Sequence, residues 1–282
     1  MRSIDIIDYE KIHRIKGVKP GKKVVIIGGV HGNEVCGVRL LSKFIEEDIK
    51  IKSGELILIF GNPRAINEGV RFIDTNLNRL FQSENKLSKK EKESYEFERM
   101  KTIRTVLEEA DILIDIHSSN SIVSKPFIIC ENNSYNLVEN IPFEIISSGW
   151  DEMQPGGTDY FMNSINKQGV CIECGSNTDP KTLENATKAV SQFLIGLGII
   201  EGNLIDNLAE KKYLKVFFQY KTKTNFIPAQ EFSDFQFIKE NTLIGYDDKE
   251  LITNQESGYI LFSRERINPN EEGFLMAKEI NS

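Results

Sequence analysis

Histidine is scarce in this chain, with three residues in 282, and cysteine is hardly commoner, with four. The cysteines (Cys36, Cys130, Cys171 and Cys174) are too few and too scattered for a disulfide framework, so the fold must rest on its core rather than on cross-links. Long apolar runs are missing as well. The longest, near residues 24–30 and 193–200, fall far short of a membrane span. There is no basic excess: a formal net charge of −7 argues against a general nucleic-acid binder. An acidic chain still has room for a locally basic pocket and an anionic substrate. The opening stretch, MRSIDIIDYEK, carries acids where a signal peptide would place its apolar segment, so the expected location is cytoplasmic. Neither a membrane nor a nucleic acid is expected as a partner, and the sequence is compatible with a homo-oligomer. No internal repeat or low-complexity tract is found.

What is present is an ordinary globular composition, 40% hydrophobic and 27% charged, at a length that buries a substantial core. Short β-rich runs at 23–30, 55–60, 111–116, 126–130 and 169–173 alternate with helical patterns at 34–48, 89–109 and 180–196. That alternation predicts an α/β fold, a three-layer α/β/α sandwich around a mixed sheet. Past Gly202 the helical period fades. Runs at 213–220, 235–238, 242–246 and 258–262 predict a small β-rich C-terminal domain, residues 203–282, after an α/β domain, residues 1–202.

The histidines carry the first chemical signal. His13 lies in a charged stretch without an obvious partner, whereas His31 follows VVIIGGV and His117 follows DILIDI, each just past a predicted strand. In open α/β sheets ligands bind beyond the carboxyl ends of strands. Glu34 is three residues after His31 in GGVHGNE, where one turn can aim both side chains at one point. With His117 they make a His₂Glu set of the kind that holds zinc with an open fourth position. The glycines beside His31 are expected to permit a sharp turn and leave room for a substrate. A lone His-x-x-Glu is more often a solvated helix start, so the remaining motifs matter.

Residues 61–81, GNPRAINEGVRFIDTNLNRLF, read as a loop holding Arg64, Arg71, Asn78 and Arg79. Guanidinium groups pair with carboxylates or face a developing oxyanion, although most arginines on a surface are merely solvated. In GVCIECG, Glu173 stands among apolar residues, where a carboxylate is expensive unless it has a task; beside a metal it suits a general base. The CIEC spacing also fits a redox pair. A strand is the wrong setting for one, so Cys171 and Cys174, like Cys36, are expected to pack as small hydrophobes.

Taken in order, GGVHGNE, NPRA…RFIDTNLNRLF, DIHSS and IECG resemble the succinylglutamate desuccinylase/aspartoacylase family, a branch of the zinc carboxypeptidase-like fold, over about half of the chain. The resemblance implies zinc on His31, Glu34 and His117, with Glu173 as general base. It implies that Arg71 polarises the scissile carbonyl, that Asn78 and Arg79 clamp a substrate carboxylate, and that Asp115 supports a ligand. The implied activity is hydrolysis of the amide bond of a small N-acyl amino acid or related carboxylate. One motif departs. The aspartoacylase branch has a further arginine upstream of the catalytic glutamate, and here that neighbourhood reads TDYFMNSINKQG, with Asn163 and no cation before Lys167. A strict aspartate or glutamate product is therefore in doubt. A carboxypeptidase acting on peptide C-termini and a non-catalytic metal-binding protein are the rival readings.

Overall fold

The parallel strands of the computed structural model, which describes residues 7–281, are apolar on both faces. Val24–Ile27 and Leu56–Phe60 are fully buried, as expected where helices cover both sides of a sheet. The N-terminal stretch weighed above as a leader falls partly outside the described residues.

In chain order the strands are β1 (His13–Lys16), β2 (Lys19–Gly28), β3 (Ser53–Phe60), β4 (Ile112–Ser119), β5 (Phe127–Ile129), β6 (Ile145–Ser148), β7 (Gln168–Ser176) and β8 (Lys212–Lys221). They continue with β9 (Phe226–Pro228), β10 (Gln236–Ile238), β11 (Leu243–Asp247), β12 (Glu250–Thr253), β13 (Gly258–Leu261) and β14 (Glu272–Glu279). The helices are α1 (Val35–Glu46), α2 (Pro63–Glu68), α3 (Lys89–Lys92), α4 (Tyr95–Glu109), α5 (Tyr135–Val138), α6 (Trp150–Met153), α7 (Thr158–Ser164) and α8 (Lys181–Gly196).

Eleven strands form one mixed sheet in the order β1-β3-β2-β4-β7-β5-β6-β8-β14-β13-β10. Its centre, β3-β2-β4-β7, is parallel. Alternate residues sort between two cores. Val24, Ile26, Ile114 and Ile172 pack under α1 and α8, while Val25, Ile27, Ile59 and Leu113 pack under α4 and α7. The α/β/α sandwich is thus observed.

The β-rich C-terminal segment does not start a new main sheet. β8 pairs in parallel with β6, and β14, β13 and β10 extend the same sheet; β9, β11 and β12 form a separate three-stranded antiparallel sheet. β14 follows a turn at Asn268-Pro269-Asn270, where Asn270 has φ 62°, a signal the sequence carried.

Two expectations are corrected. The pattern over 89–109 is two helices rather than one, because the Ser94 hydroxyl accepts the amide of Phe97 and restarts the helix there. Residues 61–81 are not all loop. Asn62 caps α2 with Pro63 at its first turn, and Gly69 closes it at φ 66°, so start and stop signals were present in the sequence.

Gly28, at the end of β2, lies against Gly37 of α1: a Cβ there would sit 2.6 Å from the Gly37 carbonyl carbon. This close approach brings the start of α1 down onto the strand end. Gly28→Ala should therefore push the helix away, with a loss of about 1–3 kcal/mol. Urea unfolding of the variant measures this, and an unchanged midpoint would contradict the packing described.

Candidate metal centre and active site

Glu34 occupies the N-cap of α1 but does not cap it. Its side chain turns instead between two buried imidazoles. Oε1 lies 2.8 Å from His31 Nδ1 and Oε2 lies 2.9 Å from His117 Nδ1, and the two rings are 5.1 Å apart between centroids. The ligand atoms of His31, Glu34 and His117 all lie within 4.8 Å of one another. His117 belongs to β4 rather than to a loop past it, since pairing with β7 carries that strand on to Ser119.

The far side of each ring is engaged. His31 Nε2 meets Asn76 Oδ1 at 3.0 Å, and Asp115 Oδ2 stands 3.1 Å from His117 Nε2 while accepting the Thr158 hydroxyl at 2.6 Å. Both Nδ1 atoms are thereby directed at the shared space, each beside one oxygen of Glu34. This donor set, two oriented imidazoles and a carboxylate, fits a divalent cation. Burial opposes the charge on Glu34, but the charge of His31 and the hydrogen bonds from His117 and His31 hold its carboxyl well below the ordinary value.

Register supplies the next residue. His117 is opposite Glu173 in the β4–β7 pair, and Asp115 is opposite Cys171, so all four project on one side. Glu173 is pushed up to about 8, first by burial and then by the nearby Glu34 charge. Cys174 turns to the other core with Cys36, and the cysteines are free and buried, as expected of packing residues.

A cavity of about 460 Å³ opens over this cluster. Arg71, Asn78 and Arg79 line it with His31, Glu34, His117 and Glu173, so the seven site residues expected from the sequence converge. Arg71 Nη1 donates to Glu34 Oε1 at 2.9 Å. Asn78 Oδ1 is buried without a partner, and Arg79 donates to the Asn78 carbonyl at 2.7 Å and to the side chain of Gln154. Arg64 is not in the cavity; it stacks on Tyr95, 4.3 Å from the ring centre. His13 is also remote, in edge strand β1. The glycine beside His31 does not make room for a substrate: a Cβ on Gly32 would collide with the Ala65 backbone at 2.1 Å.

Sequence reasoning passed over several contributors. Asn76 lay inside a quoted motif, yet its contact with His31 depends on a tertiary turn. Glu96, buried in the first turn of α4, accepts the amides of Ile73, Asp74 and Thr75 and the side chain of Asn62. It thereby holds the segment between Arg71 and Asn78. From the C-terminal region, Phe262, Arg264, Arg266, Glu271 and Glu272 complete the cavity wall. Also in the lining, burial raises Asp151 to about 7 and Asp159 to about 6.

If these ligands hold a cation, the purified protein should contain about one equivalent of divalent metal, lost in His117→Ala. Asn76→Ala should weaken metal affinity roughly 10- to 100-fold while leaving the ligands in place. Elemental analysis and competition with a chelator read both effects; metal retained by His117→Ala at full occupancy would count against the assignment.

Comparison with known proteins agrees with this arrangement. The succinylglutamate desuccinylase/aspartoacylase catalytic-domain model matches residues 20–197. A probable aspartoacylase of Nostoc sp. is 32% identical over 172 residues, 55% of this chain and 55% of that protein. An N-acyl-aromatic-L-amino acid amidohydrolase (carboxylate-forming) of Xenopus laevis is 30% identical over 125 residues, 42% of this chain and 41% of that protein. The chain spans about half the length of the curated relatives it matches. Among solved structures, the succinylglutamate desuccinylase of Vibrio parahaemolyticus superposes with a TM-score of 0.77 at 16% identity, covering 96% of this chain and 86% of that one.

Proposed function

This chain belongs to the succinylglutamate desuccinylase/aspartoacylase family, and on that premise we propose that it is a zinc-dependent hydrolase of the amide bond in a small N-acyl amino acid or related carboxylate. The observation that carries the reading is Glu173, a half-buried carboxyl whose Oε2 is buried without a partner, side by side with His117 and facing the same cavity as Arg71.

Zinc held by His31, Glu34 and His117 would polarise the acyl carbonyl and lower the pKa of a water to about 7. Glu173 takes the proton from the attacking water and passes it to the leaving nitrogen, so that a carboxylate and a free amine result. Arg71 stabilises the negative charge that develops on the acyl oxygen. Asn78 and Arg79 hold the substrate carboxylate, which fixes the scissile bond before reaction.

We further assign residues 1–202 as the catalytic domain and residues 203–282 as a β-rich domain that narrows the site. The presence of Phe262, Arg264 and Arg266 in the cavity wall supports this, and it favours a short substrate over the C-terminus of a long peptide. Among the described residues, no helix is long and apolar enough to cross a membrane. With four free cysteines, we assign the protein to the cytoplasm.

Glu173→Gln should retain metal and lose about 10²- to 10⁴-fold in kcat. A panel of N-acyl amino acids and short peptides, assayed for released amine, measures it. Turnover of peptides alone would favour the carboxypeptidase reading, and no turnover by metal-loaded wild type would leave a metal-binding protein.

The pH dependence follows from the same residue. Only deprotonated Glu173 accepts a proton, so kcat/KM should rise as pH climbs through its pKa. Burial and Glu34 place that pKa above 4.5, and a bound cation draws it down from about 8. The rising limb should thus fall between these values. A limb at or below 4.5 would contradict the buried environment described.

A further inference from the structure

Arg264 and Arg266 lie in the segment joining β13 to β14, and their backbone is pinned. The Arg264 amide donates to the Gly273 carbonyl at 3.3 Å, and Arg266 exchanges two main-chain hydrogen bonds with Phe226, at 2.9 and 2.8 Å. In an extended segment, residues two apart share a side. Arg264 and Arg266 both line the cavity, while Glu265 between them is exposed.

Neither guanidinium has an ion-pair partner among the described residues, although acids are close by. Glu271 is occupied by Asn268, whose amide it accepts at 3.1 Å, and Glu272 by the side chains of Gln154 and Gln219. Arg266 Nε donates to the Glu272 carbonyl at 2.6 Å and Nη1 to the Glu265 carbonyl at 3.4 Å, leaving Nη2 uncommitted among the described residues, and Arg264 Nε is buried with no partner. Burial, followed by the charge of Arg264, lowers the Arg266 pKa, against the opposing charges of Glu272 and Glu271. Two guanidiniums side by side, one with a buried donor unsatisfied and neither in an ion pair, are costly unless an anion is bound between them.

The α7 region supplies no such cation to the cavity. Asn163, at the position where the family resemblance implies an arginine, donates to Asp151 Oδ2 at 3.0 Å. Lys167 is turned away, donating to the Glu108 carbonyl at 2.6 Å. With Asn78 and Arg79 assigned to one substrate carboxylate, Arg264 and Arg266 are the further guanidiniums of the lining without an ion pair, both on the C-terminal segment.

We propose that Arg264 and Arg266 form a second anion receptor, which binds a second carboxylate of the substrate and sets specificity from the C-terminal segment. This rests on the reading of the cavity as the hydrolytic site. The chemistry recognised is a carboxylate, carried either on the acyl arm or on the amino-acid side chain, because a guanidinium fork matches both equally.

The test is calorimetric binding to the Glu173→Gln protein, with two matched pairs of probes: N-succinyl-leucine against N-pentanoyl-leucine, and N-acetylglutamate against N-acetylglutamine. In at least one pair the dianion should bind about tenfold tighter, or about 1.4 kcal/mol, and the responding pair identifies which arm carries the second carboxylate. Adding Arg264→Gln and Arg266→Gln should erase that preference while the monoanion binds as before, which also reports that the fold is intact. Arg264→Gln alone, whose main-chain bonds are untouched, serves if the double replacement does not fold and should reduce the preference. Equal binding within both pairs, or a preference that survives the replacements, overturns the proposal. Failure of the hydrolytic reading would appear separately, as metal-loaded wild type that binds these probes but releases no amine from any of them.

Discussion

The site depends on one carboxylate kept in an improbable place. Glu34 is buried at the mouth of a helix, between two imidazoles and within reach of a guanidinium, and almost everything around it serves to keep it there. A carboxylate taken out of water is tolerated only where charge and hydrogen bonds replace the lost solvation. His31, His117, Arg71 and the amide of Ser118, which donates to Oε2 at 3.2 Å, supply that replacement. The contact between Gly28 and Gly37 then fixes where the helix begins, and so where the carboxylate can reach.

A second buried carboxylate does for the substrate-facing segment what Glu34 does for the cluster. Glu96 gathers backbone amides rather than side chains, and so holds the path of residues 73–75 whatever those residues are. Arg71 before it and the turn Leu77–Arg79 after it are thereby brought to one cavity. In both cases a buried acid organises the chain because the groups that satisfy it come from distant parts of the sequence.

The α/β/α layering was legible because parallel strands covered on both faces leave unbroken apolar runs, and helices leave a stripe. The His31, Glu34 and His117 cluster was legible because His31 and Glu34 are close in sequence and His117 ends a buried run; Glu173 stood out as a charge among apolar neighbours. What escaped notice was tertiary in origin. Asn76 looks like any loop asparagine until the turn carries it to His31, and Glu96 resembles the other acids of a heavily charged helix. The pair Arg264 and Arg266 lies far from every recognised motif, in a stretch whose neighbours Glu265, Glu271 and Glu272 make it read as ordinary surface. The continuity of β8 with β6 could not be anticipated either, since pairing between distant strands leaves no local pattern.

That continuity bears on how molecules enter and leave. The wall carrying Arg264 and Arg266 is bonded strand to strand into the sheet that carries His117 and Glu173, through β14, β8, β6, β5 and β7. A roof attached in this way does not swing on a linker as a lid would. The wall is anchored by main-chain hydrogen bonds on its strands, so the shape of the opening is written into the sheet itself.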